Sequence, residues 1–179
     1  DMDYPEYLIL EMGVDMPCDM ERMMAWIKPD IGVITAFGSV PVHVEQFEEP
    51  EDLMKEKWKL IENLKDDDIA VLNNDDKTIV SYGKKLKIKT ATFGFFESAD
   101  ICASNYKINS DGIVFKISYG GSIAPVKLNM VFGRQNVYTA MSAISVGLYC
   151  GINLIKCITA VSKMKPVSGR FNLLEGVNN

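Results

Sequence analysis

The sequence predicts an α/β fold in which a mainly parallel sheet is flanked by helices and carries a small antiparallel β-meander. In the first half of the chain, short continuous apolar runs alternate with amphipathic helical segments. This alternation is typical of parallel strands that are buried on both faces and covered by helices. From about residue 101 onward, apolar and polar residues alternate between turn sequences rich in Gly and Asn, which indicates antiparallel strands.

The first half has the spacing expected of strand–helix–strand units. Pro29 closes the first helix, and Pro50 opens the second with acidic residues in its first turn, where the helix dipole favours them. The predicted strands are residues 7–10, 31–35, 69–72 and 90–93, and the predicted helices are residues 19–27 and 50–64.

The second half is predicted to contain the meander and two helices. Apolar residues at helical spacing between Val137 and Leu148 predict a helix that Gly151 terminates. Asn153 is a candidate N-cap of the next helix, and Pro166 stands beyond its end. The predicted strands of the meander are residues 101–108, 113–119 and 126–131, and residues 170–176 have the pattern of a further strand.

The composition is that of an ordinary globular domain, with 179 residues, 47% of them hydrophobic and 24% charged. A net charge of −5 leaves no basic face for nucleic acid. No run of about 18 apolar residues predicts a membrane-spanning helix. The four cysteines fit no zinc-binding spacing and are expected as free thiols in a reducing compartment. We therefore expect a cytoplasmic protein with neither nucleic-acid nor membrane partners.

Polar residues follow three of the predicted strands. Glu11 ends the first strand, His43 lies in the loop after the second, and residues 73–76 (Asn-Asn-Asp-Asp) follow the third. In open parallel sheets ligands bind beyond the carboxyl ends of the strands, so these groups are predicted to converge on one rim. Glu11 can be a helix cap or a magnesium ligand, and His43 a surface residue or a metal ligand. Residues 73–76 alone can be a turn and cap.

Lys57 falls on the apolar face of the second predicted helix. On a helical wheel it lies inside the arc that contains Leu53 and Ile61, whereas Lys55 and Lys59 lie outside this arc. Burying an unpaired ammonium group is costly. Either the side chain follows the apolar surface and keeps its charge in water, or the lysine is directed at the rim of the sheet.

Two further segments are ambiguous when each is taken alone. Residues 134–136 (Arg-Gln-Asn) can cap a helix or contact a nucleotide, and residues 165–170 can be a linker. No phosphate-binding loop of the G-x-x-x-x-G-K-[ST] type occurs in the chain. Periodicity and spacing alone therefore do not lead to ATP.

The order of these segments resembles the central, ATP-using domain of the Mur ligases over nearly the whole chain. The strings Leu-Glu-Met-Gly at 10–13 and Pro-Val-Ser-Gly-Arg at 166–170 are most similar to the branch of this family that adds D-alanyl-D-alanine. The matching segments, in order, are residues 7–13, 33–35, 43–45, Lys57, 71–76, 133–137 and 166–170.

The resemblance implies a ligase that uses ATP and Mg²⁺. In this family ATP phosphorylates the terminal carboxylate of a nucleotide-linked peptide, the incoming amine attacks the acyl phosphate, and phosphate leaves. By resemblance, Glu11 and His43 are magnesium ligands, and Lys57 is a catalytic residue that can carry a carbamate. Asn136 and Arg170 correspond to ATP contacts. The implied substrates are UDP-N-acetylmuramoyl-tripeptide and D-alanyl-D-alanine.

The resemblance also divides the chain. Residues 1–170 correspond to the central ATPase domain, and residues 171–179 to a linker or the start of the C-terminal domain. In the family the phosphate-binding loop would precede residue 1, so we expect these 179 residues alone to be inactive. Two alternatives are a ligase similar to the folylpolyglutamate or cyanophycin synthetases and a non-catalytic binding domain derived from this fold.

Overall fold

The computed structural model describes residues 5–37 and 44–166. These residues form a six-stranded sheet in which the strand order equals the chain order. The first four strands are parallel to one another, and each of the last two pairs antiparallel with the strand before it. The predicted α/β fold is therefore confirmed. Residues 167–179, which hold the predicted strand at 170–176, lie outside the described part. The strands are β1 (Ile31–Ile34), β2 (Ile69–Asn73), β3 (Lys89–Gly94), β4 (Ile101–Asn109), β5 (Gly112–Tyr119) and β6 (Ser122–Asn129).

Helices cover both faces of the sheet. The described α-helices are α1 (Asp19–Trp26), α2 (Pro50–Glu62), α3 (Lys77–Gly83), α4 (Arg134–Tyr149) and α5 (Leu154–Val161). Helices α4 and α5 pack on one face, whereas α2 and α3 pack on the other. As predicted, Gly151 follows α4 with a positive φ of 80°, and the Asn153 side chain caps α5. None of these helices is long and apolar enough to cross a membrane.

Strand β2 shows why a continuous apolar run predicts a strand that is buried on both faces. All five of its residues are buried. Val71 packs toward α4, whereas its neighbours Ala70 and Leu72 pack with α2 and α3. Successive side chains of a strand point to opposite faces, so a sheet covered on both faces requires apolar residues at every position of its central strands.

The meander is continuous with the parallel sheet. Strand β4 joins β3 through two parallel pairs, at the end of β3 and the start of β4, and then pairs antiparallel with β5. Strand β6 begins at Ser122, earlier than the predicted residue 126, and contains Pro125. Proline is compatible with this strand because β6 lies at the edge of the sheet, where one side of the backbone donates no ladder hydrogen bonds.

The prediction of a buried strand at residues 7–10 is wrong. The segment forms no strand, and all four of its side chains are exposed, Ile9 to 91%. An apolar run becomes a strand only where a neighbouring strand satisfies its backbone N–H and C=O groups. Among residues 5–37 and 44–166, no strand pairs with this segment. Glu11 therefore does not stand at the end of a strand.

Helix α3 is absent from the sequence-based prediction. Its N-cap is Asp76, whose Oδ1 accepts hydrogen bonds from the backbone N–H groups of Thr78 at 2.9 Å and Ile79 at 3.2 Å. Ile79 is its one buried residue and packs on the same face as Leu72. A seven-residue helix with one buried position has no apolar periodicity to detect.

Helix α2 buries an acid that the helical wheel did not single out. Glu56 is 5% exposed, whereas Lys57 is half-buried. The Glu56 carboxylate accepts a hydrogen bond from the backbone N–H of Met20, in the first turn of α1, at 3.0 Å. It also pairs with Lys59 at 2.8 Å, and Lys59 pairs with Glu21 of α1 at 2.7 Å. Hydrogen bonds to Glu21 and Glu56 raise the pKa of Lys59. Together these contacts hold α1 against α2.

Replacing Glu56 should therefore loosen α1. In Glu56→Ala, the Met20 N–H loses its acceptor and the Lys59 ammonium keeps only Glu21, which should lower the free energy of unfolding by about 1–3 kcal/mol. Urea denaturation followed by circular dichroism measures this change. Glu62→Ala, an exposed acid on the same helix, is the matched control and should change stability by less than about 0.5 kcal/mol. Equal effects of the two substitutions would contradict a stabilising role for the buried carboxylate.

Candidate functional site

A cavity of about 640 Å³ lies beyond the carboxyl ends of β1 and β2. Its walls come from the residues after β1, the segment between β2 and α3, and the first turns of α4. This is where the sequence predicted that a ligand would bind, because side chains after parallel strands meet at one edge of the sheet. The lining residues are Thr35, Ala36, Asn73, Asp75, Asp76, Lys77, Thr78, Arg134, Gln135, Tyr138 and Thr139.

The first residues after β2 join the ends of neighbouring strands. Asn73 is buried, and its Nδ2 donates to the backbone oxygen of Thr35 at 2.7 Å. Its Oδ1 accepts from the backbone N–H of Asp75 at 2.9 Å. Asn74 donates from Nδ2 to Ser98 Oγ at 2.8 Å, and from its backbone N–H to the oxygen of Phe93 at 2.8 Å. The floor of the cavity is thereby fastened to the ends of both β1 and β3.

Asp75 is the central acceptor of the site. Its Oδ2 accepts from the backbone N–H of Phe95 at 2.7 Å and from the Tyr138 hydroxyl at 2.7 Å. Its Oδ1 accepts from the backbone N–H of Phe96 at 3.1 Å. Residue 94 must be glycine for this arrangement, since a Cβ at Gly94 would lie 2.4 Å from Asp75 Oδ1. One carboxylate thus ties β2, the segment after β3 and α4 together.

Asp76 performs a similar role on the other side of the cavity. Besides capping α3, its Oδ2 accepts from the backbone N–H of Phe37 at 2.9 Å. Phe37 is buried and meets Trp58 of α2 and Tyr82 of α3 with ring centroids 6.3 Å away from each. The chain leaving β1 is therefore held by the same segment that holds α4.

An aromatic cluster supports the α4 side of the cavity. The Phe95 ring meets Tyr138 edge-on at 5.3 Å and Tyr106 at 6.1 Å. The guanidinium carbon of Arg134 lies 4.0 Å from the centroid of the same ring, a cation–π contact. Burial, followed by the hydrogen bond to Asp75, raises the pKa of Tyr138 to about 12, although Arg134 works in the opposite direction. Tyr138 is accordingly a neutral donor at physiological pH.

Two acids and two basic residues line the cavity, so their formal charges balance, but the acids are engaged by hydrogen bonds within the described residues. Asp75 and Asp76 each accept three hydrogen bonds, five of the six from backbone N–H groups. Lys77 and Arg134 are exposed and line the same cavity. Within residues 5–37 and 44–166, neither forms an ion pair with an acid. Hydrogen-bonded carboxylates beside unpaired cations suit an anionic ligand.

Three of the predicted site residues lie in the described part of the chain. Glu11 is exposed in an irregular segment and does not line the cavity. Lys57 is half-buried, and the next residue, Trp58, contacts Phe37 after β1, so this turn of α2 lies near the carboxyl end of β1. Asn136 is half-buried in the first turn of α4, and its Nδ2 donates to the backbone oxygen of Phe132 at 2.6 Å.

Two other predicted site residues, His43 and Arg170, lie outside the described residues. The proposed magnesium pair of Glu11 and His43 therefore stays a prediction, as do the roles of Lys57, Asn136 and Arg170. No group of three or more His, Cys, Asp or Glu side chains in the described ranges is arranged to hold a metal ion.

Sequence reasoning placed residues 73–76 at the rim but did not identify their partners. Tyr138, Lys77 and Thr78, which line the cavity, are not among the residues that the sequence patterns indicate. No spacing in the sequence links Asp75 with Tyr138, because 63 residues separate them in the chain. The phenylalanines at 93, 95 and 96 likewise have no periodic relation to α4. Arg134 was flagged as a possible nucleotide contact, and it does line the cavity.

A family model and individual relatives both match this chain. The family model described as the Mur ligase middle domain matches residues 1–147. The chain is similar to UDP-N-acetylmuramoyl-L-alanyl-D-glutamate–2,6-diaminopimelate ligase 2 of Clostridium acetobutylicum, with 32% identity over 168 residues, 94% of this chain and 33% of that protein. It is also similar to the corresponding ligase of Listeria innocua, with 36% identity over 112 residues, 63% of this chain and 23% of that protein. The chain thus spans a third or less of these curated relatives.

Solved structures show the same architecture. The MurF ligase of Thermotoga maritima, in complex with ADP, superposes with a TM-score of 0.83 and 26% identity, covering 97% of this chain and 40% of that one. MurF of Acinetobacter baumannii superposes with a TM-score of 0.81 at 17% identity, covering 92% of this chain and 36% of that one, which supports the fold alone.

The raised pKa of Tyr138 predicts a pH-dependent loss of stability. The folded pKa of about 12 exceeds the ordinary value of 10.0, so above pH 10 the unfolded chain releases a proton that the folded chain keeps. The stabilising contribution is complete below pH 10 and is lost as the pH rises toward 12. Phenolate absorbance should show a late titration step near pH 12, and Tyr138→Phe should remove that step.

Tyr119→Phe, which removes an exposed tyrosine at the end of β5, is the control and should leave the late step in place. The free energy of unfolding of Tyr138→Phe should also fall less steeply than that of the wild type between pH 10 and 12. A late step that persists in Tyr138→Phe would show that the Asp75 contact does not hold the proton.

Proposed function

This chain belongs to the Mur ligase family, and on that basis we propose that it provides the ATP-binding cavity of an enzyme that extends a UDP-N-acetylmuramoyl peptide. The observation that carries the proposal is the cavity beyond β1 and β2, where Lys77 and Arg134 form no ion pair with an acid of the described residues and stand beside two hydrogen-bonded carboxylates. A cavity of about 640 Å³ is of the size that nucleotide-like ligands occupy.

The proposed reaction is amide-bond formation through an acyl phosphate. The terminal carboxylate of the peptide attacks the γ-phosphorus of ATP, and the bond to the β-phosphate oxygen breaks to release ADP. The amine of the incoming residue then attacks the acyl carbon, loses a proton, and expels inorganic phosphate. Since such transfers depend mainly on positioning and charge stabilisation, a rigid cavity with fixed cations suits them.

The remaining site residues keep the roles that the family resemblance gives them. Glu11 and His43 are the proposed Mg²⁺ ligands, and Mg²⁺ would neutralise charge on the phosphates. Asn136 is the proposed adenine contact. Its Nδ2 donates to the backbone oxygen of Phe132, so its Oδ1 is the atom that we propose for the adenine contact. Arg170 is the second proposed ATP contact.

For the residue that is added, we propose D-alanyl-D-alanine, with UDP-N-acetylmuramoyl-tripeptide as the acceptor. The strings at 10–13 and 166–170 support this substrate, as does the coverage of 97% of the chain by the Thermotoga maritima MurF structure. A second candidate is diaminopimelate, because the curated relatives with 32% and 36% identity are named for its addition.

A paired assay separates the two candidates. The complete gene product is incubated with Mg²⁺-ATP and either the tripeptide substrate with D-alanyl-D-alanine or UDP-N-acetylmuramoyl-L-alanyl-D-glutamate with diaminopimelate. Phosphate release that depends on D-alanyl-D-alanine, with formation of the pentapeptide product, is expected. Turnover only in the second mixture would replace the first candidate, and no ATP-dependent product in either mixture would overturn the ligase proposal.

Lys57 should be required for this turnover. Its position near the carboxyl end of β1 is compatible with a carbamate on its nitrogen, which would be an anionic group able to organise Mg²⁺. Lys57→Ala should lower kcat by at least about 100-fold, and short carboxylates added to the assay should restore part of it. Lys55→Ala is the control, because Lys55 is an exposed lysine on the same helix that pairs only with Asp52 among the described residues. Full activity of Lys57→Ala would mean that the side chain only covers apolar surface.

A further inference from the structure

Within the proposed function, we infer that Arg134 binds the phosphate groups of the nucleotide and that Asp75, acting through Tyr138 and Phe95, positions it. Arg134 is the first residue of α4 and lines the cavity. Arg134 is a binding residue distinct from Asn136, which lies two positions further along the helix. The hydrogen bonds around Asp75 serve to position Arg134.

The guanidinium of Arg134 is available to a ligand. It forms no ion pair with an acid of residues 5–37 and 44–166, although Asp75 lies close by. The two oxygens of Asp75 are turned toward Phe95, Phe96 and Tyr138 instead. A guanidinium has five N–H donors in one plane and matches phosphate oxygens in pairs, so an exposed arginine in this cavity suits an oxyanion.

The guanidinium is also held in place. Its central carbon lies 4.0 Å from the centroid of the Phe95 ring, which covers one side of it. Long exposed side chains lose conformational freedom when they bind, and support from a ring reduces that loss. Arg134 also interacts with the Tyr138 side chain, and the donors that are engaged by neither ring remain for the ligand.

Phe95 in turn depends on Asp75. The backbone N–H of Phe95 donates to Asp75 Oδ2 at 2.7 Å, and the hydroxyl of Tyr138 donates to the same oxygen at 2.7 Å. The Tyr138 ring meets Phe95 at 5.3 Å with an interplanar angle of 80°. Asp75 thus fixes both the ring beneath Arg134 and the first turns of the helix that carries Arg134. In this role Asp75 positions Arg134, and Arg134 binds the phosphates.

The test is isothermal titration of the complete gene product with ATP, ADP, AMP and adenosine. Arg134→Gln should raise the Kd for ATP by about tenfold or more, since a hydrogen bond to a charged group is lost. The increase should shrink as phosphates are removed and vanish for adenosine. Arg134→Lys, which keeps the charge without the planar fork, should fall between. Lys116→Gln, an exposed lysine on β5 remote from the cavity, makes the same charge change and should bind all four ligands as the wild type does.

The positioning role is tested by a double-mutant cycle. Tyr138→Phe keeps the ring contact with Phe95 but removes the hydroxyl that reaches Asp75, and should raise the Kd for ATP several-fold. In the Arg134→Gln background the same substitution should add no further increase, because it acts through Arg134. Thermal unfolding of each variant checks that the fold is intact, which the exposure of Arg134 favours.

Each outcome decides one part of the inference. Wild-type affinity in Arg134→Gln, or an equal loss for ATP and adenosine, would overturn the phosphate contact while leaving the ATP cavity standing. Additive effects of the two substitutions would overturn the positioning role of Tyr138. Absence of Mg²⁺-ATP binding by the wild type would overturn the proposed function, and this inference with it.

Discussion

The geometry of the cavity depends on the acceptor groups of residues 73–76. Asn73 holds the end of β1, Asp75 holds Phe95 and α4, and Asp76 holds Phe37 and the start of α3. These contacts cross distances of up to 63 residues along the chain. Because β2 lies between β1 and β3 in the sheet, its end is the one place from which short side chains can reach all the walls.

The same hydrogen bonds satisfy the two acids that line the cavity. A carboxylate removed from water is stable only when donors satisfy it, and five of the six donors to Asp75 and Asp76 are backbone N–H groups with no formal charge. Within residues 5–37 and 44–166, the acids are therefore stabilised without a lysine or arginine as counter-ion. Lys77 and Arg134 keep their charge for a ligand, which an ion pair with either acid would have cancelled.

Sequence patterns predicted those elements whose burial repeats along the chain. β1, β2 and the meander have continuous or alternating apolar residues, and the structure has strands there, although β6 begins four residues before its predicted start. The run at 7–10 is as continuously apolar as the first four residues of β2 but remains exposed, because composition does not state whether a strand lies alongside. The cavity was placed at the correct edge by topology alone, whereas the contacts from Asp75 to Phe95 and Tyr138 join segments with no common period.

Helix α2 shows why the role of a charged residue cannot be read from a single helix. A wheel describes one buried face, but α2 packs against two partners, the sheet on one side and α1 on another. On the sheet side, a Cβ at Gly32 would lie 2.9 Å from Ile61 Cδ1, so β1 and α2 meet closely only because residue 32 is glycine. On the α1 side, the N–H of Met20 requires an acceptor, and Glu56 is buried to supply it. Lys57 lies inside the apolar arc and yet is only half-buried. Whether a charged side chain of α2 is buried therefore depends on the hydrogen-bonding groups of the element that packs against it.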